Sequence, residues 1–76
     1  MDIKKDNIDP YIDLSFYHLE SNRFSDAAII ARRGLKIKNS AELYYVLGSI
    51  SLQQKNYWKA KQFFEQANSI SQESYY

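Results

Sequence analysis

His18, Asp9 and Asp13 are the side chains whose chemistry would suit an active site. A catalytic or metal-bound histidine usually works with a cysteine or a second histidine, but the chain has one histidine and no cysteine. Asp9 and Asp13 lie one helical turn apart and could form an acid pair, although carboxylates at the start of a helix also suit its dipole. The sequence has no glycine-rich phosphate loop. It therefore predicts no enzyme, no cofactor and no metal site.

A basic cluster raises the question of nucleic-acid binding. Arg32, Arg33, Lys36 and Lys38 lie close together, and such clusters can contact phosphates. They also fall at the end of a predicted helix, where positive charge offsets unpaired carbonyls. Because the net charge is only +1 and no aromatic stacking platform accompanies the cluster, we expect no nucleic-acid partner.

Length and composition limit the fold to one small domain. The chain has 76 residues, of which 45% are hydrophobic and 16% aromatic. This is enough apolar surface for a chain of this size to fold rather than remain disordered. It has no run of roughly 20 apolar residues that could cross a membrane. The polar segment 1–7 suggests a flexible lead-in rather than a signal peptide. We expect a cytoplasmic protein without membrane contact.

Helix is the expected state of most of the chain, because only one proline and two glycines occur and none interrupts a long periodic segment. Apolar residues at spacings of three and four predict helices over about 10–21, 25–38, 41–54 and 57–70. The predicted N-caps are Asp9, Ser25 and Ser40.

A shift of 33 residues aligns the chain with itself. The aligned pairs are Tyr11 with Tyr44, Leu14 with Leu47, Ser15 with Gly48, Phe24 with Tyr57, Ala27 with Ala60, Gly34 with Ala67 and Ile37 with Ile70. Residue size is similar within each pair, which indicates a tandem repeat of one helical hairpin. We expect the tyrosines and leucines of the first two pairs to face the interior, and the small residues to let the helices approach closely.

Residues 41–72 resemble a tetratricopeptide repeat. The residues that carry the pattern are Tyr44, Leu47, Gly48, Ala60, Phe64 and Ala67, whereas Ser51 and Gln72 depart from it. Residues 8–40 resemble a divergent copy. The resemblance implies an all-α fold of two tandem helix-turn-helix hairpins, in which four antiparallel helices form a short α-solenoid. The lead-in would span 1–7 and a C-terminal tail 73–76.

The two ends of this pair of repeats differ from its middle. Leu43, Val46 and Ile50 form an apolar stripe in the second copy, where the first copy has Pro10, Asp13 and Tyr17. Likewise, Ala28 and Leu35 of the first copy are replaced by Lys61 and Asn68 in the second. Polar residues at these positions predict two outer faces that tolerate water.

The resemblance also implies a groove that holds an extended peptide or a partner helix, lined by the first helix of each repeat. Its expected residues are Asp9, Ile12, Phe16, Leu19, Glu20, Glu42, Tyr45, Ser49, Leu52 and Gln53. Family members that clamp a C-terminal carboxylate present Lys and Asn on this face, but Ile12 and Phe16 stand here instead. In the alternative interpretation, Phe16 and Tyr45 only complete the packing of a small domain.

The sequence thus predicts a non-catalytic protein-binding module whose groove takes an apolar or amphipathic segment. The alternative is a self-associating scaffold unit that forms a homo-oligomer through exposed aromatic residues on or after the last helix. The candidate contacts are Trp58, Phe63 and Tyr75. Trp58 could instead shield only its own helix.

Overall fold

The fold of the chain is all-α over the part that the structure describes. The structure, a computed structural model, describes residues 7–73, with side chains through residue 71. The four helices are α1 (Asp9–Glu20), α2 (Phe24–Ile37), α3 (Ala41–Gln53) and α4 (Tyr57–Glu73), and the described range has no strand. The predicted all-α class and the four helices are therefore confirmed.

The helices pack as two stacked hairpins. α1 packs on α2 and α3 packs on α4, while α2 and α1 both contact α3. Within residues 7–73, α4 contacts only α3. A closed four-helix bundle would bring α1 against α4, so this contact pattern is that of a short α-solenoid, as predicted.

The two hairpin turns have the same geometry, which supports the 33-residue repeat. Asn22 and Lys55, 33 positions apart, have φ of 61° and 62°. In the first turn the N–H of Asn22 donates to the carbonyl of Leu19 (3.1 Å) and the N–H of Arg23 to that of His18 (2.8 Å). The second turn has the equivalent bonds, from Lys55 to Leu52 (2.9 Å) and from Asn56 to Ser51 (2.8 Å). Both turns are Schellman motifs, which satisfy the last carbonyls of α1 and α3.

One of the three predicted N-caps is confirmed. The Ser40 hydroxyl accepts a hydrogen bond from the N–H of Leu43 (3.4 Å) at the start of α3. The prediction for Ser25 is wrong, because the Schellman turn ends at Arg23 and α2 begins directly at Phe24. The prediction for Asp9 is also wrong: it is the first residue of α1, and its own N–H donates to Asn7 Oδ1 (3.1 Å).

The core lies between α1, α2 and α3 and contains several small side chains. Its buried hydrophobic cluster consists of Ile8, Ala27, Ala31, Leu43, Val46, Leu47 and Ile50. Ser15 and Ser51 are also buried, and each hydroxyl donates to the carbonyl four residues earlier in its helix. These bonds satisfy the hydroxyls without an external partner, so a serine can lie where two helices approach closely.

The outer face of α1 differs from the equivalent face of α3. Leu47 is 5% exposed and Ile50 is 5% exposed, whereas Leu14 is 43% exposed and Tyr17 is 58% exposed. The expectation that Leu14 faces the interior is therefore wrong. α2 covers Leu47 and Ile50, but none of the described helices lies against the corresponding side of α1. The predicted exposure of Pro10, Asp13, Lys61 and Asn68 is confirmed.

Candidate peptide-binding groove

A groove of about 740 Å³ runs along one side of the two hairpins. It is lined by α1, the loop before α3, the first turns of α3 and the C-terminal half of α4. Five of the ten residues expected in a groove line it. These are Asp9, Ile12, Phe16, Glu42 and Tyr45.

A row of three aromatic rings crosses this groove. The ring centroids of Phe16 and Tyr45 lie 6.2 Å apart, and those of Tyr45 and Phe64 lie 5.7 Å apart. The rings thus extend from α1 through α3 to α4. Tyr45 is 50% exposed, and Phe16 is half-buried against the core. Phe16 therefore contributes to packing, while Tyr45 presents much of its ring to the groove.

The other five expected residues do not line this groove. Leu19 and Ser49 are half-buried, and Leu19 packs on the core. Glu20, Leu52 and Gln53 are exposed near the hairpin turns at the ends of α1 and α3. The structure therefore separates the predicted set into one half that lines the groove and another that lies toward the turns.

The second wall of the groove lies outside the set of residues that the resemblance predicted. It is formed by Phe64, Ala67 and Ile70 of α4, with Lys38 from the loop before α3 at the edge. The resemblance assigned the groove to the first helix of each repeat only. The spacing of Phe64, Ala67 and Ile70, three residues apart, predicts an apolar stripe on α4 that faces inward, but it does not show that the stripe lines a groove.

Two carboxylates and one ammonium give the groove its charge. Ser40 donates to Glu42 Oε1 (3.0 Å) while its hydroxyl caps α3, so Glu42 is held at the groove edge. Asp9 lies at the first turn of α1 and Lys38 precedes α3. All three charged side chains are exposed, and together they carry one net negative charge. The groove is thus apolar in its centre and slightly acidic at its edge.

The groove offers a ligand apolar and aromatic contact surface. Within the described residues, no group of three or more His, Cys, Asp or Glu side chains comes together as a metal site. His18 is half-buried and its ring contacts Tyr17 edge-on, with centroids 5.5 Å apart. Its Nδ1 is buried without a hydrogen-bond partner in the structure. His18 does not line the groove.

The candidate oligomer contacts fall into three different environments. Trp58 is 69% exposed, next to Tyr57, which is 63% exposed. Phe63 is only half-buried rather than exposed, because its ring stacks on Tyr44 with centroids 6.3 Å apart. Tyr75 lies outside the described residues.

Comparison with known proteins assigns the second hairpin to a family. The chain matches no curated protein and no solved structure. Residues 41–74, which contain α3 and α4, match the family model of the tetratricopeptide repeat. None of the helices in the described range is long and apolar enough to cross a membrane. Tetratricopeptide repeats serve in general as protein–protein interaction or scaffold modules, without catalysis. The second hairpin thus matches the tetratricopeptide repeat, and the equivalent turns of the first hairpin fit a short helical repeat of the same type.

Proposed function

We propose that this chain is a non-catalytic interaction module that binds an apolar or amphipathic peptide segment in the groove. The observation that carries the proposal is the row of Phe16, Tyr45 and Phe64, all three of which line the groove, with Tyr45 50% exposed. Aromatic rings offer a large contact area at a low cost in side-chain entropy, since each has two rotatable bonds. An apolar side chain of the ligand would lie against these rings.

The charge at the groove edge indicates which flanking residues the ligand carries. Asp9 and Glu42 contribute two carboxylates, and Ser40 restrains that of Glu42. A ligand with Lys or Arg beside its apolar residues would meet charges of opposite sign, whereas an acidic ligand would be repelled. The single Lys38 offsets only part of this field. We therefore expect basic flanks on the preferred ligand.

Selection from a random displayed peptide library would test the groove. We expect the selected peptides to share aromatic or aliphatic anchors with basic flanks. One selected peptide, synthesised with a fluorescent label, is then titrated against the wild type and the double variant Phe16→Ala/Tyr45→Ala. Loss of two central aromatic contacts should weaken binding at least about tenfold.

The matched control removes an exposed aromatic ring outside the groove, by Tyr57→Ala. This variant should bind the peptide as tightly as the wild type, because Tyr57 does not line the groove. Thermal unfolding of both variants checks that each remains folded. Equal affinity of the wild type and the folded double variant would remove the groove from the mechanism.

A second candidate function, self-association, is supported by the exposure of Trp58 and Tyr57 at the start of α4. Exposed aromatic residues are common anchors at protein interfaces. If Trp58 is such an anchor, Trp58→Ala should shift the sedimentation profile toward monomer. An unchanged profile would exclude Trp58 as a contact.

A further inference from the structure

The interface between the two hairpins shows how one repeat is covered by the next. On α3 it buries Leu43, Val46, Leu47 and Ile50, none of them more than 5% exposed. On α2, Phe24, Ala28 and Leu35 pack against that cluster. Phe24 and Ala28 line one cleft together with Leu47 and Ile50. This internal interface is a template for any contact between equivalent surfaces.

The 33-residue shift places a counterpart of each side of the interface on the outside of the molecule. The outer side of α1, here called the N face, consists of Pro10, Asp13, Leu14 and Tyr17. The outer side of α4, here called the C face, consists of Tyr57, Lys61 and Asn68. All seven side chains are exposed. Three of them are large and apolar or aromatic, since Leu14 is 43%, Tyr17 58% and Tyr57 63% exposed.

We infer that the C face of one copy stacks on the N face of a second copy, in the arrangement that α2 and α3 adopt within the chain. Tyr57 then contacts Leu14 and Tyr17 of the next copy, as its counterpart Phe24 lies in one cleft with Leu47 and Ile50. The occupant of both faces is this same protein. The inference deepens the second candidate function, on which it rests, and is independent of the groove.

The charges on the two faces favour this head-to-tail arrangement. Asp13 stands on the N face where the internal interface has Val46, and Lys61 stands on the C face where it has Ala28. Neither side chain has an ion-pair partner among the described residues. In the stack, Lys61 lies beside Tyr17 and near Asp13, so charges of opposite sign meet. Two N faces in contact would instead bring the Asp13 carboxylates together.

The polar residues on the two faces determine how strong the association is and which form it takes. Asp13, Lys61 and Asn68 replace apolar residues of the internal interface, so the stack buries less apolar surface than the hairpins do. Association should therefore be weak and become visible only at high concentration. A head-to-tail contact leaves one N face and one C face free at every stage. The average mass should rise steadily with concentration rather than stop at a dimer.

Two single variants separate the faces. Leu14→Lys places a second ammonium near Lys61 and disables only the N face, whereas Tyr57→Asp places a carboxylate near Asp13 and disables only the C face. Both positions are exposed, so the variants should fold, as circular dichroism would verify. Tyr17→Lys and Lys61→Glu are the alternatives if either variant fails to fold.

Light scattering and sedimentation velocity of the full chain, from about 10 µM to 1 mM, cover the range of weak interfaces. We expect the wild type to grow beyond a dimer and each single variant to associate at least about tenfold more weakly. An equimolar mixture of the two variants retains one intact N face and one intact C face. It should form a closed dimer of about 18 kDa, twice the 9.0 kDa of one chain.

Three results would overturn the inference, and they differ in what else they exclude. A wild type that remains monomeric at 1 mM excludes both the stack and self-association. Association that Leu14→Lys and Tyr57→Asp leave unchanged, but that Trp58→Ala removes, excludes the stack and supports the Trp58 contact. A mixture of the two variants that stays monomeric where the wild type associates excludes the head-to-tail arrangement. None of these results bears on peptide binding in the groove.

Discussion

The backbone of Gly48 in α3 lies directly against the ring of Phe64 in α4. A Cβ atom built on Gly48 would lie 2.6 Å from Cε1 and 2.9 Å from Cδ1 of that ring. The absent side chain therefore lets α3 and α4 approach closely. Because Phe64 is also the third ring of the aromatic row, the close approach at Gly48 sets the position of one wall of the groove.

Substitution of Gly48 should lower the stability of the domain. Gly48→Ala gains about 1 kcal/mol of helix propensity, but it forces the Phe64 ring away from its packed position. Overpacking of this kind costs about 1–3 kcal/mol, and the larger Gly48→Leu should cost more than Gly48→Ala. We expect Gly48→Leu to lower the thermal midpoint by several degrees, as measured by circular dichroism.

The double variant Gly48→Ala/Phe64→Leu is the control for this prediction. Relative to Phe64→Leu alone, the added alanine should cost less than it does in the wild type, because the smaller side chain leaves room for the Cβ. An unchanged midpoint of Gly48→Leu would contradict the close approach of α3 and α4.

Lys55 should be replaceable by glycine with a gain in stability. Its φ of 62° is a left-handed conformation, which costs a residue with a Cβ atom about 1–2 kcal/mol. We expect Lys55→Gly to raise the urea midpoint of unfolding. Asn22→Gly, at the equivalent turn, should have a smaller effect because asparagine tolerates this conformation better.

The same substitution at Lys61 provides the opposite control. Lys61 is exposed within α4, so glycine there should lower the free energy of unfolding by about 1 kcal/mol. If Lys55→Gly lowered the urea midpoint as Lys61→Gly does, this result would contradict the left-handed backbone conformation of Lys55.

Neutralising the groove edge should weaken binding to basic ligands in a salt-dependent way. For a selected peptide with Lys or Arg flanks, Glu42→Gln and Asp9→Asn should each reduce affinity by up to about fivefold, since exposed ion pairs contribute about 0.2–1 kcal/mol. The measurement is a titration at low and high salt, and the difference should shrink at high salt. A peptide with neutral flanks is the control and should bind both variants as it binds the wild type. Equal loss for both peptides would show that the carboxylates act through the fold rather than through charge.

The hairpins could be predicted from sequence because they depend on local patterns. The 33-residue shift pairs Asn22 with Lys55, and the structure gives both the same turn. The exposure of Leu14 could not be predicted from the same shift, because the identical residue at 47 has α2 as a neighbour and Leu14 has none of the described helices. The residue type is the same at the two positions, whereas the neighbouring helix in the described range is not.

The groove could be predicted only in part, for a related reason. The resemblance was sufficient to place Ile12, Phe16 and Tyr45 on one surface. The contribution of Phe64 and Ile70 depends on the angle at which α4 packs against α3. The residue pattern of a single helix does not determine that packing angle.

Nuclear magnetic resonance of the isotopically labelled chain, with and without a selected peptide, tests the central claim most directly. Besides the groove, the described residues form a smaller cleft of about 260 Å³ between α2, α3 and α4. Binding in the groove predicts chemical-shift changes at the methyl groups of Ile12 and Ile70 and at the ring of Tyr45. Changes confined to Ile29 and Phe24, which line the smaller cleft, would contradict it.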